Sequence, residues 1–197
     1  MSQPPALELD QFKIVAAEMR EVFEERGYRV DVALEADPGF GSGASRASLV
    51  RDLAIDAASV AASRHGLDFR TVNGSGREFR CLSGGVDRRY RLRKAGRRSD
   101  GSYVIPTNAK SAMHGDDETL IPEELWVFGY TLTSEGTLQD VFLAPVLGIE
   151  QGLPGHLILG RVIELIDAPT TPAGFQPTDE DLEGFELDEG ESGEFGS

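Results

Sequence analysis

Seven cations crowd one short stretch of the chain: Arg88, Arg89, Arg91, Arg93, Lys94, Arg97 and Arg98. Guanidinium groups bind phosphate and carboxylate oxygens through paired N–H donors, so such a run can hold an anion if one surface presents it. Arg89, Arg91 and Arg93 alternate with Tyr90 and Leu92. On a strand, alternate side chains share a face about 6.8 Å apart. These three are therefore expected to form a straight guanidinium row, extended by Arg97 and Arg98 in the turn beyond. A row of this kind can track a nucleic-acid backbone or meet an acidic protein surface. The competing expectation is a solvated outer face whose arginines pair with carboxylates on neighbouring strands.

Charge is distributed unevenly along the chain. Arg77 to Arg98 carries nine of the nineteen bases against Glu78 and Asp87, a local balance of +7 within a chain of net charge −15. Asp179 to Glu194 holds nine acids and no base, which leaves −6 for the remainder. The acidic balance therefore does not exclude an anionic partner. A polyanion tethered to a basic face has a high effective concentration near it. The C-terminal tail is read as a solubilising segment or as a competitor for the arginine row.

Other constellations carry less. Gly39-Phe40-Gly41-Ser42-Gly43-Ala44 matches the dinucleotide pattern G-x-G-x-x-G/A, which needs a preceding strand and a following helix to bring backbone amides to a pyrophosphate. The segment before it alternates with Arg29 and Asp31 instead of being apolar on both faces, so a Gly/Ser connector is the expectation. His114-Gly115-Asp116-Asp117-Glu118 contains metal-ligand side chains, but consecutive ligands seldom converge on one ion, and a polar loop is expected. Cys81 ends an apolar stretch and reads as a small buried hydrophobe. No G-x-S-x-G elbow and no phosphate-binding G-x-x-x-x-G-K-[ST] occur. Neither Lys94 nor Lys110 has the acid two residues earlier that a metal-dependent nuclease would supply. No cofactor or metal is expected.

These residues need elements to position them. Asp10 to Arg26 carries Phe12, Val15, Met19, Val22 and Phe23 at helical spacing, with Gly27 as its stop. Tyr28 to Leu34 alternates and is predicted to be a strand, followed by a loop over Asp37–Ala44. Ser45 is the expected cap of an Ala-rich helix reaching His65, stopped by Gly66. Short strands are predicted at Leu67–Val72 and Arg77–Leu82 around Asn73-Gly74-Ser75-Gly76, then at Asp87–Lys94 and Ser102–Ile105. Pro122–Glu124 fits either a helical turn or a strand start. Leu125 to Leu143 is the predicted central hairpin, turning at Ser134–Thr137, with Trp126, Phe128, Tyr130 and Leu132 on one face. A loop over Pro145–Gly155 and a last strand over His156–Leu165 complete the body.

The expected class is α+β, with two N-terminal helices packed on a mostly antiparallel sheet in one domain, residues 1–167. Residues 168–197, rich in Pro, Gly and acids, are expected to be disordered. A single Cys excludes an intramolecular disulfide. With no signal-peptide pattern and no apolar run long enough to span a bilayer, a cytoplasmic protein without a membrane role is expected. The leading reading is an interaction or regulatory module that meets nucleic acid or a protein partner through Arg88, Arg89, Arg91, Arg93, Lys94, Arg97 and Arg98. The alternatives are a degenerate metal-dependent nucleic-acid-processing enzyme and an inhibitor that mimics nucleic acid through its acidic tail.

Overall fold

The computed structural model describes residues 3–40, 42–72, 76–107, 121–152 and 154–166. Three helices lead: α1 (Ala6–Arg26), α2 (Tyr28–Ala36) and α3 (Gly43–His65), with a 3-10 turn at Pro38–Phe40. Among the described residues ten strands follow: β1 (Asp68–Val72), β2 (Gly76–Ser83), β3 (Val86–Lys94), β4 (Gly96–Arg97), β5 (Tyr103–Val104), β6 (Pro106–Thr107), β7 (Glu123–Leu132), β8 (Leu138–Glu150), β9 (Gly155–Leu159) and β10 (Ile163–Glu164). The eight-stranded sheet runs β1-β2-β3-β7-β8-β9-β6, with β10 beside β8, while β4 and β5 pair separately. Its described pairings are antiparallel except for β3 with β7. The architecture is the expected α+β, with helices at the N-terminus.

The apolar stripe of α1 does what its spacing requires. Phe12, Val15, Met19 and Phe23 are all buried, and the Phe12 ring lies 4.4 Å from Tyr90, 5.3 Å from Phe79 and 5.6 Å from Phe128. In α3, Ala54, Ala57, Ala58, Ala61 and Ala62 are buried, small side chains that let the helix approach its neighbours closely. Ion pairs join the two helices at their flanks: Arg26 with Asp56 at 2.7 Å, and Glu18 with His65 at 2.6 Å and Arg64 at 3.2 Å. The α3 cap is Ser42, whose Oγ accepts the Ser45 N–H at 3.2 Å, so the helix starts earlier than the Ser45 cap expected from sequence. Gly66, at φ +66, closes it.

The strand predicted at Tyr28–Leu34 is wrong: this segment is α2. Val30 and Leu34 carry the packing, and their separation of four residues serves one helix face as well as a strand. The other two members of the alternation, Tyr28 and Val32, are 61% and 56% exposed, so nothing holds a strand in place. The Gly-rich loop therefore lies between two helices, not after a strand, and lacks the context of a dinucleotide site.

The β7–β8 hairpin is the centre of the sheet. Trp126, Phe128 and Tyr130 are buried under the helices and Leu132 packs at their edge. The turn closes through Thr133 and Thr137, with Gly136 at φ +84. On the opposite face Val127, Phe142, Ala144, Ile105 and Leu157 form a second core. Two segments depart from expectation here. The loop expected over Pro145–Gly155 begins only after Glu150, because Pro145 still pairs with Trp126 and its carbonyl accepts the Gly160 N–H at 2.8 Å. The single last strand is instead β9 and β10, broken at Gly160, where a Cβ would come 2.7 Å from Pro145 Cγ. Pro122–Glu124 leads into β7, with Glu123 opposite Asp87. The Asn73–Ser75 turn, the segment His114–Glu118 and the C-terminal tail lie outside the described residues. Among the described residues, no helix is long and apolar enough to cross a membrane.

Candidate anion site

Strand β3 sorts the cations between two faces of the sheet. Its register sets Tyr90 beside Trp126 and Leu92 beside Phe128, facing the helices, while Arg89, Arg91 and Arg93 stand opposite Leu125, Val127 and Gly129. Arg89, Arg91 and Arg93 therefore share a face, as their alternation requires. Arg88 belongs to the other one.

Arg88 is enclosed, its side chain 5% exposed. Its Nε donates to Glu124 at 2.9 Å, and its Nη1 to Glu8 at 3.3 Å and to Ser83 at 3.1 Å. Ser83 and Tyr90 also donate to Glu8. Burial and the hydrogen bond to Glu8 push the Tyr90 hydroxyl well above the ordinary phenol range. This network ties the start of α1 to the sheet and occupies Arg88 fully.

The outer row is largely neutralised by neighbouring strands. Glu78 is 0% exposed; it accepts from Arg70 Nε and Nη2 at 3.1 and 2.8 Å and pairs with Arg91 at 3.5 Å. Arg80 grips Asp87 through Nε and Nη2 at 2.8–3.1 Å, and Arg89 stands 3.6 Å from the same carboxylate and 2.5 Å from Glu123. Burial alone would raise the Asp87 carboxyl, but the hydrogen bonds and charge of Arg80, with Arg89 and Arg70 behind them, hold it below the usual carboxylate range. The same contact raises the Arg80 guanidinium. Arg97 meets Asp140 at 3.4 Å and lies 5.8 Å from the Tyr103 ring. Asp140 is itself fixed by the Thr131 hydroxyl at 2.7 Å.

The end of the row differs. Among the described residues no carboxylate lies within ion-pair distance of Arg93, Lys94 or Arg77. Burial, Arg91 and Arg51 together lower the Arg93 guanidinium from its ordinary value, so this cation sits in a repulsive field. Arg93 and Lys94 line a cleft of about 270 Å³ with Arg51, Arg77, Ala47, Ile55, Leu92 and Tyr130. It lies between α3 and the strand ends, and no acid lines it among the described residues. Ala47, Arg51 and Ile55 reach it from one helix face, spaced by four. The Tyr130 hydroxyl, pushed up to about 12 by burial against a counter-pull from Arg51, stays protonated at neutral pH and can donate. Such a cleft suits one compact anion, with charge-assisted donors above an apolar floor.

Arg98 is apart from this cleft. It lines a wider one of about 670 Å³ that also contains Glu150, Glu164 and His156, a mixed lining with no bias towards anions. Of the candidate contact residues, the structure thus brings Arg93 and Lys94 together with two cations that sequence reading did not single out, Arg51 and Arg77. The i, i+4 spacing of Ala47, Arg51 and Ile55 was the local signal for the first. Cys81 is partly buried, and burial, with Glu8 nearby, pushes its thiol up to about 12, the environment of an unreactive side chain. Among the described residues no group of three His, Cys, Asp or Glu is placed to hold a metal ion. Compared with protein-family models, with curated proteins and with solved structures, the chain matches none.

Proposed function

We propose that this chain is a non-enzymatic, cytoplasmic interaction module that binds nucleic acid through phosphate contacts at the basic end of β3. The observation that supports the reading is the contrast along one strand. Arg88, Arg89 and Arg91 are engaged by carboxylates within the fold, whereas Arg77, Arg93 and Lys94 line one cleft with no carboxylate within ion-pair distance of them among the described residues. Like charges held close disfavour one another, and an anion from outside lowers that cost. The contact surface is accordingly narrower than the full arginine run, centred on Arg93 and Lys94. A single Cys is in keeping with a reducing compartment.

Fluorescence anisotropy with labelled single-stranded RNA, single-stranded DNA and duplex DNA tests the reading, on the full chain and on a chain lacking residues 178–197. The expected result is binding that weakens steeply with salt and is much weaker in an Arg77→Gln/Lys94→Gln variant. Tighter binding by the shortened chain would make the acidic tail a competitor for the same cations. Absence of binding by both chains at low salt overturns the reading and moves the search to acidic protein partners.

A further inference from the structure

From the groove beside β10 and the sequence that follows it, we infer that residues 181–189 of this chain's own tail dock there, with Phe185 and Leu187 in the groove. The inference is independent of the nucleic-acid reading, because the groove lies away from the basic end of β3. Trp126 lines it, whereas the cleft at Lys94 is lined by Tyr130, four residues further along β7. The groove has a volume of about 500 Å³ and is walled by Trp126, Pro145, Leu147, Val162 and Ile163. That volume is in the ~300–1,000 Å³ range of ordinary ligand sites. Leu147 is 63% exposed, so a further apolar group laid on it removes its surface from water. Arg161, at the rim, is exposed and meets no carboxylate among the described residues.

Charge, pattern and reach select the tail as the occupant. No acid lines the groove among the described residues, while Asp179 to Glu194 carries nine acids and no base, a complement to Arg161. Within that stretch, Leu182, Phe185 and Leu187 are set among Asp181, Glu183, Glu186, Asp188 and Glu189. In an extended conformation Phe185 and Leu187 share one face, and Glu186 and Asp188 take the other. The apolar pair then enters the groove while the carboxylates stay at the rim, where Arg161 stands. Reach is sufficient. Nineteen residues separate Ile166 from Phe185; a coil of that length spans about 24 Å, and Ile163 already lines the groove. Tethering supplies an effective concentration of about 1 mM, so an intrinsic Kd on the order of 0.1 mM leaves the groove about nine-tenths filled.

The chain has one tryptophan, so the indole N–H resonance of Trp126 reports on the groove without ambiguity. The experiment records it in the full natural chain, in full-length Phe185→Ser/Leu187→Ser and in full-length Leu147→Glu. The double variant is expected to move the resonance, and a synthetic peptide of residues 181–191 added to it should return the resonance to its natural position. Leu147→Glu, at an exposed position, should leave the thermal midpoint nearly unchanged and abolish the response to the peptide. Arg161→Gln, placed in the double variant, should weaken peptide binding by up to about fivefold, the range of an exposed ion pair. An indole resonance that is the same in the natural chain and the double variant overturns the inference. A difference between them that grows with protein concentration assigns the groove to the tail of a second copy, and overturns docking within one chain.

Discussion

Tyr90 donates its hydroxyl to Glu8 Oε2 across 2.6 Å, joining the first turn of α1 to the middle of β3 inside the protein. Glu8 also receives Ser83 and Arg88, and Arg88 is shared with Glu124. Removing one member of a buried charged pair leaves the other uncompensated, which typically costs about 3–5 kcal/mol. Glu8→Ala is therefore expected to lower unfolding free energy by about that amount. Tyr90→Phe, which deletes one bond and no charge, should cost about 1–3 kcal/mol. Urea unfolding measures both. A loss below about 1 kcal/mol for Glu8→Ala would mean that α1 is not anchored here.

Arg91 and Arg93 stand two positions apart on the same face and are expected to respond oppositely. Arg91→Gln removes one of the two cations that face the fully buried Glu78, leaving it to Arg70 alone, and should be destabilising by about 1–3 kcal/mol. Arg93→Gln removes a cation repelled by Arg91 and Arg51 and should change stability by no more than about 0.5 kcal/mol, in either direction. Thermal unfolding of the two variants side by side decides it. Equal losses would contradict the division of the row into a part paired with Glu78, Asp87 and Glu123 and an end that meets no carboxylate among the described residues.

The pairing of Asp87 with Arg80 sets a pH dependence. The folded state holds the Asp87 carboxyl below its unfolded value of about 3.8, so the pair's stabilisation is complete above that value and is lost as pH falls through the lower, folded one. Asp87→Asn is expected to be less stable than the natural chain at neutral pH. The gap should close progressively in the acid range below about pH 4. A gap that stays constant from pH 6 down to pH 2.5 would show that the carboxylate charge contributes nothing.

Much of this arrangement was readable from local pattern. The Trp126–Phe128–Tyr130 alternation and the Gly136 turn identified the central hairpin, and the alternation grouped Arg89, Arg91 and Arg93, whereas Arg88, expected with the contact cations, lies on the Tyr90 side. What failed had a physical cause in each case. Val30 and Leu34 satisfy both a two-residue and a four-residue period, and only the exposure of Tyr28 and Val32 decides between them. Pro145 reads as a breaker, yet it continues β8 opposite Trp126, and its carbonyl accepts the Gly160 N–H. The carboxylates that meet the arginines of β3 come from α1, β2 and β7 besides Asp87 of β3 itself, and Arg51 and Arg77 of the cleft come from α3 and β2. Apart from Asp87, these partners are distant in sequence, and only the folded sheet brings them together.

Gly129 marks where the second core sits closest to the sheet. A Cβ there would lie 2.3–2.6 Å from three atoms of the Phe142 ring, which is itself stacked on Tyr103 at 4.0 Å. Gly129→Ala is expected to cost about 1–3 kcal/mol through overpacking. Adding Phe142→Leu should recover part of the loss, and differential scanning calorimetry of the pair tests it. An Ala variant as stable as the natural chain would show that the ring has room to move.

The most direct test of the central claim is the salt dependence of single-stranded RNA binding in three proteins: the natural chain, Arg77→Gln/Lys94→Gln, and Arg89→Gln. Each lost phosphate contact lowers the slope of log K against log salt by about 0.7 on a single strand. The double variant is expected to bind weakly, with a slope reduced by about 1.4. Arg89→Gln should keep the slope of the natural chain, since Arg89 is held by Asp87 and Glu123. The reverse pattern, with the slope lost in Arg89→Gln and kept in the double variant, would contradict the assignment of anion binding to the α3–sheet cleft.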